Sequence, residues 1–211
     1  MFLGHFAVGL VGKRYTPLVS LGTWFLAVQL VDLLWPFFLL TGAERVRVVP
    51  GITAFTPLDF EHYPITHSLV GGVAWALMLA MGSAAFYRNT KAALVLGAGV
   101  LSHWVLDVIS HRPDMPVLPG GPYIGLGLWN SVPATVGVEL LLFITGIYIY
   151  ARDRRPRLAF WLMVGFMLFV FFGAAFGPTP PEDVTALAVS ALAVWLFVPW
   201  AWWADRSTQR I

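Results

Sequence analysis

The order of apolar and polar residues is dominated by six long apolar runs, at approximately 16–41, 65–88, 91–111, 131–151, 157–177 and 184–204. Each is long enough to cross about 30 Å of hydrocarbon, which takes roughly 20 residues at 1.5 Å each. A seventh stretch, 2–12, is too short to span and predicts a half-helix dipping into the bilayer or lying at its surface. Two longer connections, 42–64 and the Pro/Gly-rich 112–130, follow odd-numbered spans and therefore lie on one side of the membrane. The predicted fold is all-α, a polytopic transmembrane helical bundle of about six spanning helices plus the short N-terminal half-helix. It forms a single integral-membrane domain over 1–211, in which 131–204 supplies three further spans behind the half, 1–111, that carries the candidate chemistry. Pro36 predicts a kink in the first span, opening space beside Asp32. No pair of interrupted helices and no internal repeat is visible in the pattern.

Composition removes the soluble alternative. The chain is 58% hydrophobic and 11% charged, against about 25% charged in an ordinary soluble domain. Its mean hydropathy is +0.75, and a bilayer solvates that excess apolar surface directly. A formal charge of +2 is too slight to point to nucleic acid, and the basic residues sit at membrane borders. Ten of them (Lys13, Arg14, Arg88, Lys91, Arg152, Arg154, Arg155, Arg157, Arg206 and Arg210) fall on one side, and Arg45, Arg47 and Arg112 on the other. That asymmetry puts the first side in the cytoplasm, with Trp200, Trp202 and Trp203 as an interfacial belt. The apolar start, Met1 to Gly12, is followed by its basic pair, the reverse of a secretory signal, so the segment is expected to stay in the mature protein. With no cysteine, any metal must be held by nitrogen and oxygen ligands.

The candidate chemistry lies in five histidines and three acids within or beside the spans. Asp32, Asp107 and Glu139 each carry a large cost in hydrocarbon unless paired, metal-bound or wetted. His103, Asp107 and His111 recur every four residues, which places them on one slowly drifting helical stripe. A simple hydrogen-bonded His103–Asp107 pair is the alternative reading of that stripe. His62 and His67 flank Pro64, a residue suited to a first helical turn, so both can approach a common centre. Counted from the cytoplasmic end of each span, Asp32 and Asp107 lie about 24 Å deep, His103 about 18 Å and His67 about 31 Å. These depths are compatible with one site in the outer half of the bilayer. His5 joins it only if the half-helix dips inward and Lys13 snorkels. Glu139 reads as a carboxylate supporting a ligand or satisfied in the core, before a ligand or base.

These residues resemble a family of small integral-membrane, metal-dependent hydrolases of the LexA-binding inner-membrane-associated type. The matching elements are Gly4-His5, Val31-Asp32, the His-x-x-x-Thr-His-Ser pattern at His62 to Ser68, and Ser102-His103 followed by Asp107. They cover about half the chain. Where the family often carries a second aspartate this chain has Leu34, and Tyr63-Pro64 replaces Arg-Gly. A more distant likeness, at His5 and the His103/Asp107 pair, is to zinc-dependent phospholipase C and single-strand nuclease. What the resemblance implies is a hydrolase of the bacterial-type inner membrane, its site facing the extracytoplasmic side. Its metal would be held by His5, Asp32, His67, His103 and Asp107. Zinc is the first expectation for that ligand mix, with manganese or iron permitted. Asp32 or Asp107 would take a proton and His62 or His111 would protonate the leaving group. The depth of the site favours membrane lipid or another amphiphilic, lipid-linked substrate, a phosphodiester by the distant likeness, with 112–130 as a lid. A cation or proton transporter and a non-catalytic, metal-stapled scaffold are the rival readings.

Overall fold

The computed structural model describes residues 1–210. The helices are α1 (Leu3–Tyr15), α2 (Leu21–Val28), α3 (Leu30–Leu40), α4 (Pro64–His67), α5 (Leu69–Tyr87), α6 (Thr90–Ser110), α7 (Val132–Ala151), α8 (Leu158–Phe176), α9 (Val184–Ala191) and α10 (Phe197–Ser207). Five helical segments are long and apolar enough to cross a membrane, and six if α2 and α3 count as one bent span. The all-helical bundle is therefore as expected. Strands are confined to short antiparallel pairs. In the two loops at one end of the bundle these are β1 (Arg45–Val48) with β2 (Leu58–His62), and β3 (Met115–Pro116) with β4 (Tyr123–Ile124).

Local chemistry sets the boundaries. Ser20, Ser68, Asn89, Ser131 and Asp183 each accept a hydrogen bond from the backbone N–H three residues on, starting α2, α5, α6, α7 and α9. These side chains satisfy donors that a helix start leaves open. Pro64 sits in the first turn of α4, as the sequence predicts, but α4 ends after one turn and the second span begins only at Leu69.

The half-helix α1 dips into the bundle rather than lying on its surface. Leu3, Gly4, His5, Phe6, Ala7, Gly9, Leu10 and Lys13 are all buried. Its approach to α7 depends on Gly146, where an added Cβ would come within 2.9 Å of the Ala7 Cα. Glu139 of α7 reaches the start of α1, its Oε2 accepting from Phe2 N at 2.9 Å and Gly4 N at 3.2 Å. At the other end Lys13 does not snorkel. It is buried, with Nζ 2.8 Å from Asp205 Oδ2 and 2.8 Å from Val19 O. Asp205 also accepts from Leu21 N and Tyr150 Oη, which ties α1, α2, α7 and α10 together.

One span is interrupted. The first bends by 53° between α2 and α3, at Gln29 rather than at Pro36, where the sequence predicts the kink, and α3 continues through the proline. The cause is a side chain in the hydrogen-bond ladder: His103 Nδ1 lies 2.7 Å from Val28 O, a carbonyl that a continuous helix would offer to residue 32. The last span, Val184–Ser207, runs through as one helical segment that tightens to a 3-10 stretch at Leu192–Leu196, between α9 and α10.

Candidate metal centre

Four elements bring a set of imidazoles and carboxylates together. Asp32 stands in the first turn of α3, His67 ends α4, and His103 and Asp107 lie one turn apart on α6. His103 Nε2 is 3.1 Å from Asp107 Oδ2 and 3.5 Å from Asp32 Oδ1. His67 Nε2 is 3.2 Å from Asp32 Oδ1 and 3.9 Å from Asp107 Oδ2. A tetrahedral ion with bonds of about 2.0–2.1 Å sets its ligand atoms about 3.3 Å apart, and these four separations bracket that value.

The proton inventory of the two imidazoles sharpens the fit. Val28 O can only accept, so His103 Nδ1 carries a proton and Nε2 is the nitrogen turned to the carboxylates. His67 is set the same way. The Thr66 hydroxyl donates to Glu44 Oε2 at 2.7 Å, so Thr66 Oγ1 receives the proton of His67 Nδ1, also at 2.7 Å. Glu44 is itself buried and held by Ile65 N and Thr66 N, each at 2.8 Å. Two imidazole Nε2 atoms thus face two carboxylate oxygens, with His67 Nε2 in hydrogen-bond reach of Asp32. His103 Nε2 is buried and makes no well-formed hydrogen bond despite these close neighbours. Nitrogen and carboxylate groups converging in this way could hold a cation at their common centre.

His5 enters from α1. Its ring stacks on His103, with centroids 3.6 Å apart and planes within 6°, and its Nε2 is 3.1 Å from the other Asp107 oxygen, Oδ1. The Met1 nitrogen contacts the same oxygen. His5, His103 and Asp107 form one possible ligand triad and Asp32, His67 and His103 another. Both must use the one free nitrogen of His103, so they describe a single centre.

The remaining expectations divide. His111 borders the cluster without joining it. Its Nδ1 is 3.0 Å from Asp114 Oδ1, its ring packs on Trp129 and Phe60, and Asp114 also accepts from Tyr63 Oη and Arg112 Nε. Burial alone would raise the Asp114 carboxyl, but the His111 hydrogen bond and Arg112 hold it below its ordinary value. Burial likewise pushes the Tyr63 phenol up, which keeps its proton available to Asp114. Glu139 caps α1, as described, rather than entering the ligand set. His62 is not brought to the centre: it is exposed at the end of β2, opposite Arg45, beside a separate small groove with Pro116 and Tyr123. Strand alternation would put it on the face of Leu58 and Phe60, but it lies beyond an irregularity in the β1–β2 register and its side chain is exposed. Sequence reasoning missed Glu44, Thr66 as a support for His67, and Asp114. Thr66 lay inside the motif already singled out, whereas Glu44 and Asp114 sit in loops without periodicity.

A cavity of about 220 Å³ adjoins the cluster. Asp32, His67, Asp107, His111 and Glu139 contribute polar lining, and Phe2, Trp35, Phe55, Phe60, Trp129 and Val194 contribute apolar lining. Both long loops take part, joined by a hydrogen bond from Phe55 N to Trp129 O at 2.9 Å.

No curated protein and no solved structure matches the chain. A family model does: it covers residues 2–178, which include every residue of the cluster, and the chain belongs to the YdjM inner membrane protein family.

Proposed function

We propose that the chain is a membrane-embedded, metal-dependent hydrolase whose ion is held by Asp32, His67, His103 and Asp107, with His5 bracing Asp107 through its second oxygen. The observation that carries the reading is the pair of Nε2 atoms, each with the ring's other nitrogen committed to a fixed partner, facing two carboxylates. When bound, a divalent ion, zinc before manganese or iron, would lower the pKa of a water it holds from about 15.7 toward about 7 and polarise the scissile oxygen.

The chain's own groups supply the rest. Val28 O and the Glu44–Thr66 pair fix the tautomers of His103 and His67, so both nitrogens stand ready without rearrangement. Asp32 is the less enclosed of the two carboxylates and lines the cavity, so it takes the proton from the attacking water. His111 lines the same cavity with Nδ1 donating to Asp114, so its other nitrogen is free to receive the proton that Asp32 took from the water and pass it to the leaving group. The excess of basic residues at the opposite end of the bundle supports an extracytoplasmic opening.

A transport reading draws on the broken first span, since discontinuous helices line ion pathways. The two readings separate in one comparison, with purified zinc-loaded protein tested on chromogenic carboxylic and phosphate esters and, in proteoliposomes, for metal flux. The hydrolase reading expects turnover that chelation removes, zinc restores and His103→Ala abolishes. Flux without turnover would overturn it.

A further inference from the structure

Of the ten tryptophans, five donate their indole N–H to a protein oxygen: Trp24 to Thr16, Trp75 to Ile65, Trp104 to Pro116, Trp195 to Leu33 and Trp200 to Ala159. Trp35 and Trp129 do not. Both N–H groups are buried without an acceptor, and both residues line the cavity beside the cluster. Both pack on a shared neighbour, Phe60, with centroids 5.7 and 6.2 Å from it. A buried donor without a partner is costly and usually has a reason, an unfilled ligand position among them.

The lining indicates what kind of ligand would supply the missing acceptor. Ala191 and Val194 come from the last span, one at the end of α9 and one in the 3-10 segment, and Trp35 comes from the first span. The next residue, Trp195, donates to Leu33 O at 2.9 Å and closes the seam between these two spans. A 3-10 stretch inside a helix is a common place for a hinge. The wall is therefore largely apolar and partly built from membrane-crossing segments. Its volume equals about seven water-sized units at roughly 30 Å³ each.

We propose that this cavity binds a bilayer amphiphile, whose apolar chain lies against Phe2, Phe55 and Val194. The oxygen of its ester linkage, carboxylic or phosphate, accepts from the indole N–H groups of Trp35 and Trp129. The assignment rests on the hydrolase reading only for the placement of that linkage beside the cluster.

Because the chain has no cysteine, Val194→Cys introduces a single thiol in the cavity wall, and its rate of alkylation by N-ethylmaleimide reports occupancy without any reaction being required. Leu77→Cys, on the exposed face of α5, is the control for probes that merely partition into detergent. Four probes are used: methyl dodecanoate, dodecyl phosphate, dodecane and inorganic phosphate. At ten times its Kd a bound probe should slow labelling at position 194 about tenfold and leave position 77 unchanged. Protection by methyl dodecanoate assigns a carboxylic ester, and protection by dodecyl phosphate a phosphate ester. Either should disappear when Trp35→Phe and Trp129→Phe are added. Equal protection by dodecane, protection by inorganic phosphate alone, protection that survives both Trp→Phe changes, or no protection would each overturn the proposal. Zinc content measured on the same preparation keeps the two claims apart. Stoichiometric zinc without protection sinks the amphiphile and spares the centre, whereas protection without zinc does the reverse.

Discussion

The Thr66→Val variant tests whether the chain presets the ligand geometry. Valine matches threonine in shape but lacks the hydroxyl, which makes two 2.7 Å contacts, one donated to Glu44 and one accepted from His67. Without it, Glu44 Oε2 loses a donor and His67 Nδ1–H loses its acceptor, so the imidazole is free to change tautomer and turn. Loss of a group that orients a metal-bound histidine typically lowers affinity by about 10–100-fold, which is about 1.4–2.8 kcal/mol. The upper part of that range is expected, because one hydroxyl serves both partners and the site is buried. Zinc affinity should be measured in detergent by competition with a chromogenic chelator, for wild type, Thr66→Val and Thr66→Ser. Serine should restore most of the affinity, since it returns the oxygen. If Thr66→Val binds zinc within twofold of wild type while remaining helical, His67 is not held in this way and the tautomer argument fails.

Other consequences are open to measurement. Asp205→Ala removes the carboxylate facing buried Lys13 and Arg154 and should cost about 3–5 kcal/mol of stability, read as a lower denaturation midpoint, whereas an exposed change such as Leu77→Ala should cost little. Gly146→Ala forces a Cβ against the α1 backbone and should destabilise by about 1–3 kcal/mol. The His111 hydrogen bond and Arg112 hold the Asp114 carboxyl below its ordinary value, so its contribution is full above the ordinary carboxylate range and is lost as pH falls through the lower folded-state value. Asp114→Asn should accordingly flatten the acid limb of the stability–pH curve, and an unchanged limb would remove the His111–Asp114 interaction from the account.

Much of the fold was legible because apolar runs of membrane-crossing length leave few alternatives. The six runs, the half-helix and the turn at Pro64 all reappear. The break was not legible, because its cause is tertiary: the bend at Gln29 follows from a histidine 75 residues away taking the Val28 carbonyl, and no local pattern encodes that. Pro36, the local signal for a kink, sits in a helix that carries on past it. At the site, Asp32, His67, His103 and Asp107 stood out because charged and imidazole groups are expensive in hydrocarbon and therefore conspicuous. His62 carried the same chemistry in a loop, where depth gives no guide, and it ends exposed beyond a break in strand register. Glu44 and Asp114 escaped notice for the converse reason: acids in polar loops look ordinary until a fold buries them against a histidine.

The most direct test of the centre is X-ray absorption at the zinc edge on purified wild-type protein, with the metal-to-chain ratio fixed on the same sample. The account predicts about one zinc per chain with a nitrogen/oxygen shell near 2.0–2.1 Å and outer scattering from two imidazole rings. A chain that takes up no zinc, or zinc whose spectrum carries no imidazole signature, would contradict it.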